Sequence, residues 1–95
     1  MPEKEINVIG FHFQRGSETN FEGRFTLASS DKELKEFKKE MHEAKSELPK
    51  YQLILITRDG GRFQVIGCWI ERFEFENNGY KYTKCYFLSN EVRPV

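Results

Sequence analysis

The stretch from Tyr51 to Leu88 carries most of the large apolar side chains of the chain, and two turn sequences divide it into three parts. Asp59-Gly60-Gly61 and Asn77-Asn78-Gly79 contain the residue types that adopt positive φ, which tight hairpin turns require. The parts between these turns are rich in Ile, Val, Phe, Tyr and Trp, which favour strands. The stretch therefore predicts a three-stranded antiparallel meander, around which the rest of the fold must be arranged.

The lengths of the two turns determine which residues of the meander lie opposite one another. If each turn has two residues, the predicted cross-strand pairs include Leu53–Cys68, Ile70–Phe87 and Phe75–Tyr82. Moving the first turn back by one residue changes its pairing by two positions, so the same side chains stay on the same face. The pattern thus predicts one assignment of faces under either turn.

These pairings predict two apolar faces, because side chains alternate across a strand. The first face is largely aliphatic and comprises Tyr51, Leu53, Leu55, Ile66, Cys68, Ile70, Cys85 and Phe87. The second face is more aromatic and comprises Ile54, Ile56, Phe63, Val65, Trp69, Phe73, Phe75, Tyr82, Tyr86 and Leu88. A two-layer domain needs only one apolar face, so the second must be covered by the remaining chain, a second copy or a ligand. A β-bulge near Gly67 or Glu71 would exchange the faces over part of the strand.

The segment between Ser30 and Pro49 has the pattern of an amphipathic helix. Ser30 followed by Glu33 is a capping-box sequence, and Pro49 disfavours helical geometry in the residue before it. Apolar residues recur every three or four positions, at Leu34, Phe37, Met41, Ala44 and Leu48. This narrow stripe predicts a helix that packs on the aliphatic face of the sheet.

Two strands are predicted before the helix, joined as a hairpin by the polar loop 14–20. This hairpin either extends the sheet edge or curls over the aromatic face, and the tail 89–95 is predicted to be a loosely held terminus. The prediction is one α+β domain over residues 1–95, in the order ββαβββ, with a mostly antiparallel five-stranded sheet that can be strongly curled. The strands are expected at about 5–13, 21–28, 51–58, 62–76 and 80–88, and the helix at about 31–48, packed on one face.

The charge of the chain and the lengths of its apolar runs indicate which partners and which cellular environment are expected. Fifteen basic and fifteen acidic residues are spread evenly along the chain, which disfavours duplex nucleic acid or an anionic membrane as the main partner. The charged N-terminus lacks the apolar run of a secretory signal, and Leu53–Ile56 is far too short to span a membrane. These features predict a cytoplasmic protein in which Cys68 and Cys85 are free, buried thiols.

The polar residues do not form a pattern typical of catalysis or of metal binding. His12 and His42 align with neither a nucleophile nor a pair of carboxylates, and their spacing from Cys68 and Cys85 contains no close ligand pair of a structural zinc site. Asp59-Gly60-Gly61 leads into a strand and lacks the helix terminus of a phosphate-binding loop. We therefore expect a protein that is not an enzyme and that holds no cofactor or metal.

The alternation of aromatic and basic residues from Tyr80 to Tyr86 is the sharpest functional feature of the sequence. Aromatic patches with few charges are typical of interface cores, which predicts a small interaction module, adaptor or inhibitor in type, that forms a homodimer or binds another protein. The alternative is a protein that stacks unpaired bases of single-stranded nucleic acid, although Arg72 and Lys81 are predicted to face away from the aromatic side chains. The candidate partner-binding residues are Trp69, Phe73, Phe75, Tyr80, Tyr82, Lys84 and Tyr86.

Overall fold

A computed structural model describes residues 3–16 and 20–95, so all of the predicted loop 14–20 except residues 17–19 lies within the described chain. One helix, α1 (Lys32–Glu43), packs against a single mixed sheet, and the α+β class with a strongly curled sheet is confirmed. The strands are β1 (Glu3–Asn7), β2 (Gly10–Arg15), β3 (Phe21–Ala28), β4 (Tyr51–Ile56), β5 (Arg62–Asn77), β6 (Lys81–Ser89) and β7 (Glu91–Pro94). Within the described ranges, no helix has the length and apolar character needed to cross a membrane.

The first predicted strand is in fact two strands that pair with different partners. β1 pairs in parallel with β4, whereas β2 pairs antiparallel with β3. At the bend, the Ile9 N–H donates to the Thr26 carbonyl at 2.8 Å, and Gly10 is registered opposite the same Thr26. Two residues facing one form a β-bulge, which bends the strand and reverses its alternation. Val8 and Phe11 therefore both face the core, which explains the imperfect alternation of this segment.

This bent strand joins the two ends of the sheet. The strand order is β1-β4-β5-β6-β3-β2, so β1 and β2 are at opposite ends of the order although they are consecutive in the chain. The first hairpin extends the sheet edge through the pairing of β3 with β6, and β1 then reaches across to β4. The sheet consequently curls around its apolar side chains, which we call the inner face, and turns its outer face to solvent.

Two β-bulges in β5 decide which of its side chains lie on the inner face. The first is at Ile66–Gly67, where the pairing of β4 with β5 shifts by one residue. The second is at Glu71, where the pairing of β5 with β6 shifts by one residue. Each bulge reverses the alternation of the strand, as the sequence analysis anticipated for these positions.

The bulges and the hairpin turns make part of the predicted face assignment wrong. Ile70 lies opposite Phe87 as predicted, but Val65 is the partner of Leu53, and Thr83 is the partner of Phe75. The second turn has three residues, because Asn77 pairs with Lys81, and this changes the pairing by one position. All residues of the predicted aliphatic face except Ile66 lie on the inner face. Four residues that were assigned to the aromatic face also lie on the inner face: Phe63, Val65, Phe73 and Phe75.

The helix α1 is shorter than the predicted range 31–48. Asp31, rather than Ser30, is its N-cap, because the Asp31 carboxylate accepts a hydrogen bond from the Glu33 N–H at 2.8 Å. The helix ends at Glu43, and Leu48 is 41% exposed beyond it. On the buried side, the Phe37 ring packs edge-on against the rings of Phe25 and Tyr51, at centroid distances of 6.1 and 4.9 Å, and so covers one end of the inner face.

The C-terminal tail is a strand, not the loosely held terminus that was predicted. β7 pairs antiparallel with residues Phe63–Ile66 of β5. Val92 lies opposite Val65 and is buried in the core. Main-chain pairing and this apolar anchor therefore hold the tail in place. Cys68 and Cys85 are free and buried, as predicted.

Candidate interaction surfaces

A row of polar and aromatic side chains crosses the outer face of four strands. His12 of β2, Arg24 of β3, Tyr86 of β6 and Arg72 of β5 are successive cross-strand neighbours. Adjacent strands lie about 4.8 Å apart, so this row spans roughly 14 Å. The guanidinium carbon of Arg72 is 3.8 Å from the centroid of the Tyr86 ring, which is a close cation–π contact. We call these four residues the arginine–tyrosine row.

Charges of both signs surround the arginine–tyrosine row. Arg72 Nη1 lies 3.0 Å from Glu74 Oε2, and Lys84 Nζ lies 3.2 Å from Glu76 Oε1. The hydrogen bond to Glu76 raises the pKa of the Lys84 ammonium group. Both pairs lie at the protein surface, where such interactions contribute little to stability. The outer face is therefore a patterned surface of mixed charge.

The structure keeps four of the seven predicted site residues on the outer face and separates the other three. The four are Trp69, Tyr82, Lys84 and Tyr86. Phe73 lies on the inner face against the core, where Lys38 of α1 is 5.5 Å from its ring centroid. Phe75 is also on the inner-face side of β5 but is 57% exposed, and Tyr80 lies in the turn and is 81% exposed. The predicted site is thus divided between two faces and a turn.

Two arginines of the row were missed by the sequence analysis. Arg72 was predicted to face away from the aromatic residues, and the bulge at Glu71 brings it beside Tyr86. The alternation of β3 correctly puts Arg24 on the polar side, but only the pairing of β3 with β6 brings it beside Tyr86. Among the described residues, Arg24 forms no ion pair, so its charge is available to a ligand.

A depression lies at the end of the sheet that α1 does not cover. Its volume is about 550 Å³, and it separates β2 from the turn that joins β4 to β5. Its floor consists of Phe11, Phe13 and Phe63, whose ring centroids lie 5.1 to 5.9 Å from one another. We call this depression the phenylalanine groove. It was not predicted, because Phe63 was assigned to the wrong face and β2 had no assigned position.

Thr57, Arg58 and Asp59 form the rim of the phenylalanine groove. The Asp59 carboxylate accepts hydrogen bonds from the Thr57 hydroxyl and from the Gly61 N–H. These bonds, chiefly the one from Thr57, lower the pKa of Asp59 and hold its Oδ1 inside the turn. Arg58 is exposed and forms no ion pair with any residue of the described chain.

The two cysteines are buried, whereas the two histidines are exposed. Burial raises the pKa of the Cys68 and Cys85 thiols, that of Cys85 to about 12, so both are protonated at neutral pH. His12 and His42 are exposed. Across residues 3–16 and 20–95, no group of three or more His, Cys, Asp or Glu side chains is arranged to hold a metal ion.

Comparison of the chain with protein families, with curated proteins and with solved structures found no match.

Proposed function

We propose that this protein is a non-enzymatic interaction module that binds another protein through its outer face. The observation that carries the proposal is the arginine–tyrosine row, in which Tyr86 lies between Arg24 and Arg72 on neighbouring strands. Arginine, tyrosine and tryptophan are the residue types most enriched among those that dominate binding energy in protein interfaces. Trp69 and Tyr82 extend the same face on either side of the row.

The charge pattern of the outer face favours a protein partner. Arg24, Arg72 and Lys84 share this part of the surface with four carboxylates, those of Glu22, Glu71, Glu74 and Glu76. A surface of alternating sign selects a partner whose charges match it position by position, which is how protein interfaces obtain specificity. A nucleic acid presents only negative charge, and these carboxylates would repel it.

The Arg72 side chain of the row also has contacts that hold it before any partner binds. Arg72 is fixed on one side by the Tyr86 ring and on the other by Glu74, and both residues lie on paired strands. Ordering an interface side chain costs about 0.5–1.5 kcal/mol when it is mobile in the free protein. Preorganised side chains avoid part of this cost, which supports a binding role for the face.

Single-stranded nucleic acid is the second candidate, and one observation favours it. The Arg72 guanidinium lies on the same face as Tyr86, Tyr82 and Lys84, so aromatic and basic groups are combined there. Such faces stack unpaired bases and hold phosphates. Fluorescence anisotropy with a labelled oligothymidylate distinguishes the two functions, because phosphate binding weakens steeply with salt. We expect no salt-sensitive binding at physiological ionic strength.

The proposed function is tested with two charge reversals of the same kind. Arg24→Glu changes an exposed cation within the row, and Lys39→Glu changes an exposed cation on α1. Immobilised wild-type protein that is exposed to a native cell extract should retain a partner protein. Arg24→Glu should bind this partner with about tenfold lower affinity, whereas Lys39→Glu should bind it as the wild type does. Equal retention by both variants would contradict a role of the outer face.

The same variants test whether the partner is a second copy. Light scattering over a range of protein concentrations should give a monomer if the face binds another protein. A dimer that persists in Lys39→Glu but dissociates in Arg24→Glu would instead assign the outer face to self-association.

A further inference from the structure

We propose that the phenylalanine groove is a second, independent binding site, and that it takes an extended peptide segment of a partner protein. The segment adds as a strand to the free edge of β2. It inserts an apolar side chain between the phenylalanine rings and places an acidic residue beside Arg58.

The free edge of β2 supplies the main-chain groups for this interaction. In the described chain, β2 pairs with β3 alone. The Gly16 N–H donates to the Asn20 carbonyl at 3.0 Å, which fixes the phase of the ladder between the two strands. Because hydrogen-bonded pairs alternate along an antiparallel ladder, the N–H and C=O groups of Phe11 and Phe13 point away from β3. They face the groove and can pair with an added strand.

The floor of the groove supplies the apolar contact. Side chains of an added strand would alternate between the outer face and the inner face, and the inner ones would enter the groove. Phe11, Phe13 and Phe63 are only partly buried, so an apolar side chain would remove more of their surface from water. The volume of about 550 Å³ lies within the range of roughly 300–1,000 Å³ that is usual for ligand pockets.

The rim offers an ionic partner to the segment. Arg58 is exposed and has no ionic partner in the described chain, so its guanidinium N–H groups are free to bind an acidic residue. The neighbouring Asp59 carboxylate keeps its negative charge, and Thr57 and Gly61 hold its Oδ1 inside the turn. Strand β2, Gly10–Arg15, contains no acidic residue, so the β2 strand of a second copy cannot supply one.

A random peptide library displayed on phage is the probe for this site. Selection on the wild-type protein should enrich peptides that alternate apolar residues with at least one Asp or Glu. An enriched peptide, made synthetically, should slow hydrogen exchange of the Phe11 and Phe13 amides by about tenfold or more, as hydrogen bonding of exposed amides does. The amides on the free edge of β1 serve as the internal control and should be unchanged. Failure to enrich any peptide, or binding without protection of these two amides, would overturn the proposal.

Charge variants of the turn provide the second readout. Arg58→Glu should weaken the selected peptide by about tenfold or more, and Arg58→Lys should retain most of the affinity. Lys45→Glu, an exposed reversal beyond the end of α1, should have no effect. Arg24→Glu should also leave peptide binding unchanged, because Arg24 belongs to the outer face. The two proposals can therefore fail separately, and equal binding to wild type and Arg58→Glu would contradict this one.

Discussion

Two phenylalanines on the inner side of the sheet, one on the helix and one on a strand, lie in opposite environments. Phe37 of α1 is fully buried against Phe25 and Tyr51, whereas Phe75 of β5 is 57% exposed. Residue type does not distinguish them: Phe37 is enclosed between α1 and the sheet, whereas Phe75 lies near the exposed end of β5. Position relative to the helix therefore decides which aromatic side chains stabilise the core.

The first prediction compares these two residues by truncation. Phe37→Ala should lower the free energy of unfolding by about 3–5 kcal/mol, because it removes buried surface and leaves a cavity. Phe75→Ala, the matched control, should change it by no more than about 0.5 kcal/mol. Urea denaturation monitored by circular dichroism measures both values. A similar loss of unfolding free energy in the two variants would contradict the burial of Phe37 between α1 and the sheet.

At the scale of elements, the sequence predicts every strand of the meander and the helix, and it fails where strand geometry departs from regular alternation. β4 and β6 have the predicted inner faces, because neither contains a bulge. The alternation of side chains between the two faces reverses twice along β5. So many residues of β5 are apolar that its sequence is compatible with the alternation with or without these reversals. A shift of one residue moves a side chain to the other face, so small local irregularities decide the position of Phe63, Phe73 and Phe75.

The candidate site shows the same limit. Tyr82, Lys84 and Tyr86 were predicted together, because they alternate along one regular strand. Arg72 joins them only through the bulge at Glu71, and Arg24 only through the pairing of β3 with β6. Regular alternation indicates neither whether a bulge forms nor which distant strands pair, so neither contact could be derived from the sequence alone.

The second prediction concerns the start of α1. Asp31→Ala should lower the free energy of unfolding by about 1 kcal/mol, because the Glu33 N–H loses its hydrogen-bond acceptor. Ser30→Ala should have little effect, since Ser30 does not cap the helix in this structure. Thermal denaturation of the two variants measures the difference. A larger loss for Ser30→Ala would restore the capping box that the sequence suggested.

On the scale of the whole molecule, closure of the sheet seals two thiols away from water. Cys68 and Cys85 are fully buried, and this burial raises the pKa of each thiol above its usual range. In the unfolded chain a cysteine ionises near pH 8.5, whereas the folded protein keeps the proton. Folding stability is therefore linked to pH in the alkaline range.

The third prediction follows from this linkage. Stability should be constant with respect to the thiols below about pH 8 and fall as pH rises past about 8.5, because the unfolded state then binds fewer protons than the folded state. Each thiol contributes at most about 1.4 kcal/mol per pH unit. Cys85→Ala should reduce the slope, measured by denaturation between pH 8 and 10. Val65→Ala, a buried but non-titrating control, should lower stability at every pH and leave the slope unchanged.

The bend at Ile9 and Gly10 makes one strand serve both ends of the sheet, and this has a consequence for how the chain is made. Glu3 and its neighbour on β4, Gln52, are separated by 49 positions, and this parallel pairing adds β1 to the sheet. Contacts over such separations form slowly, because the intervening chain must be ordered first. Residues 3–7 are synthesised before β4, which begins at Tyr51, so β1 has no partner strand when it leaves the ribosome. The nascent chain must therefore carry β1 unpaired until β4 has emerged.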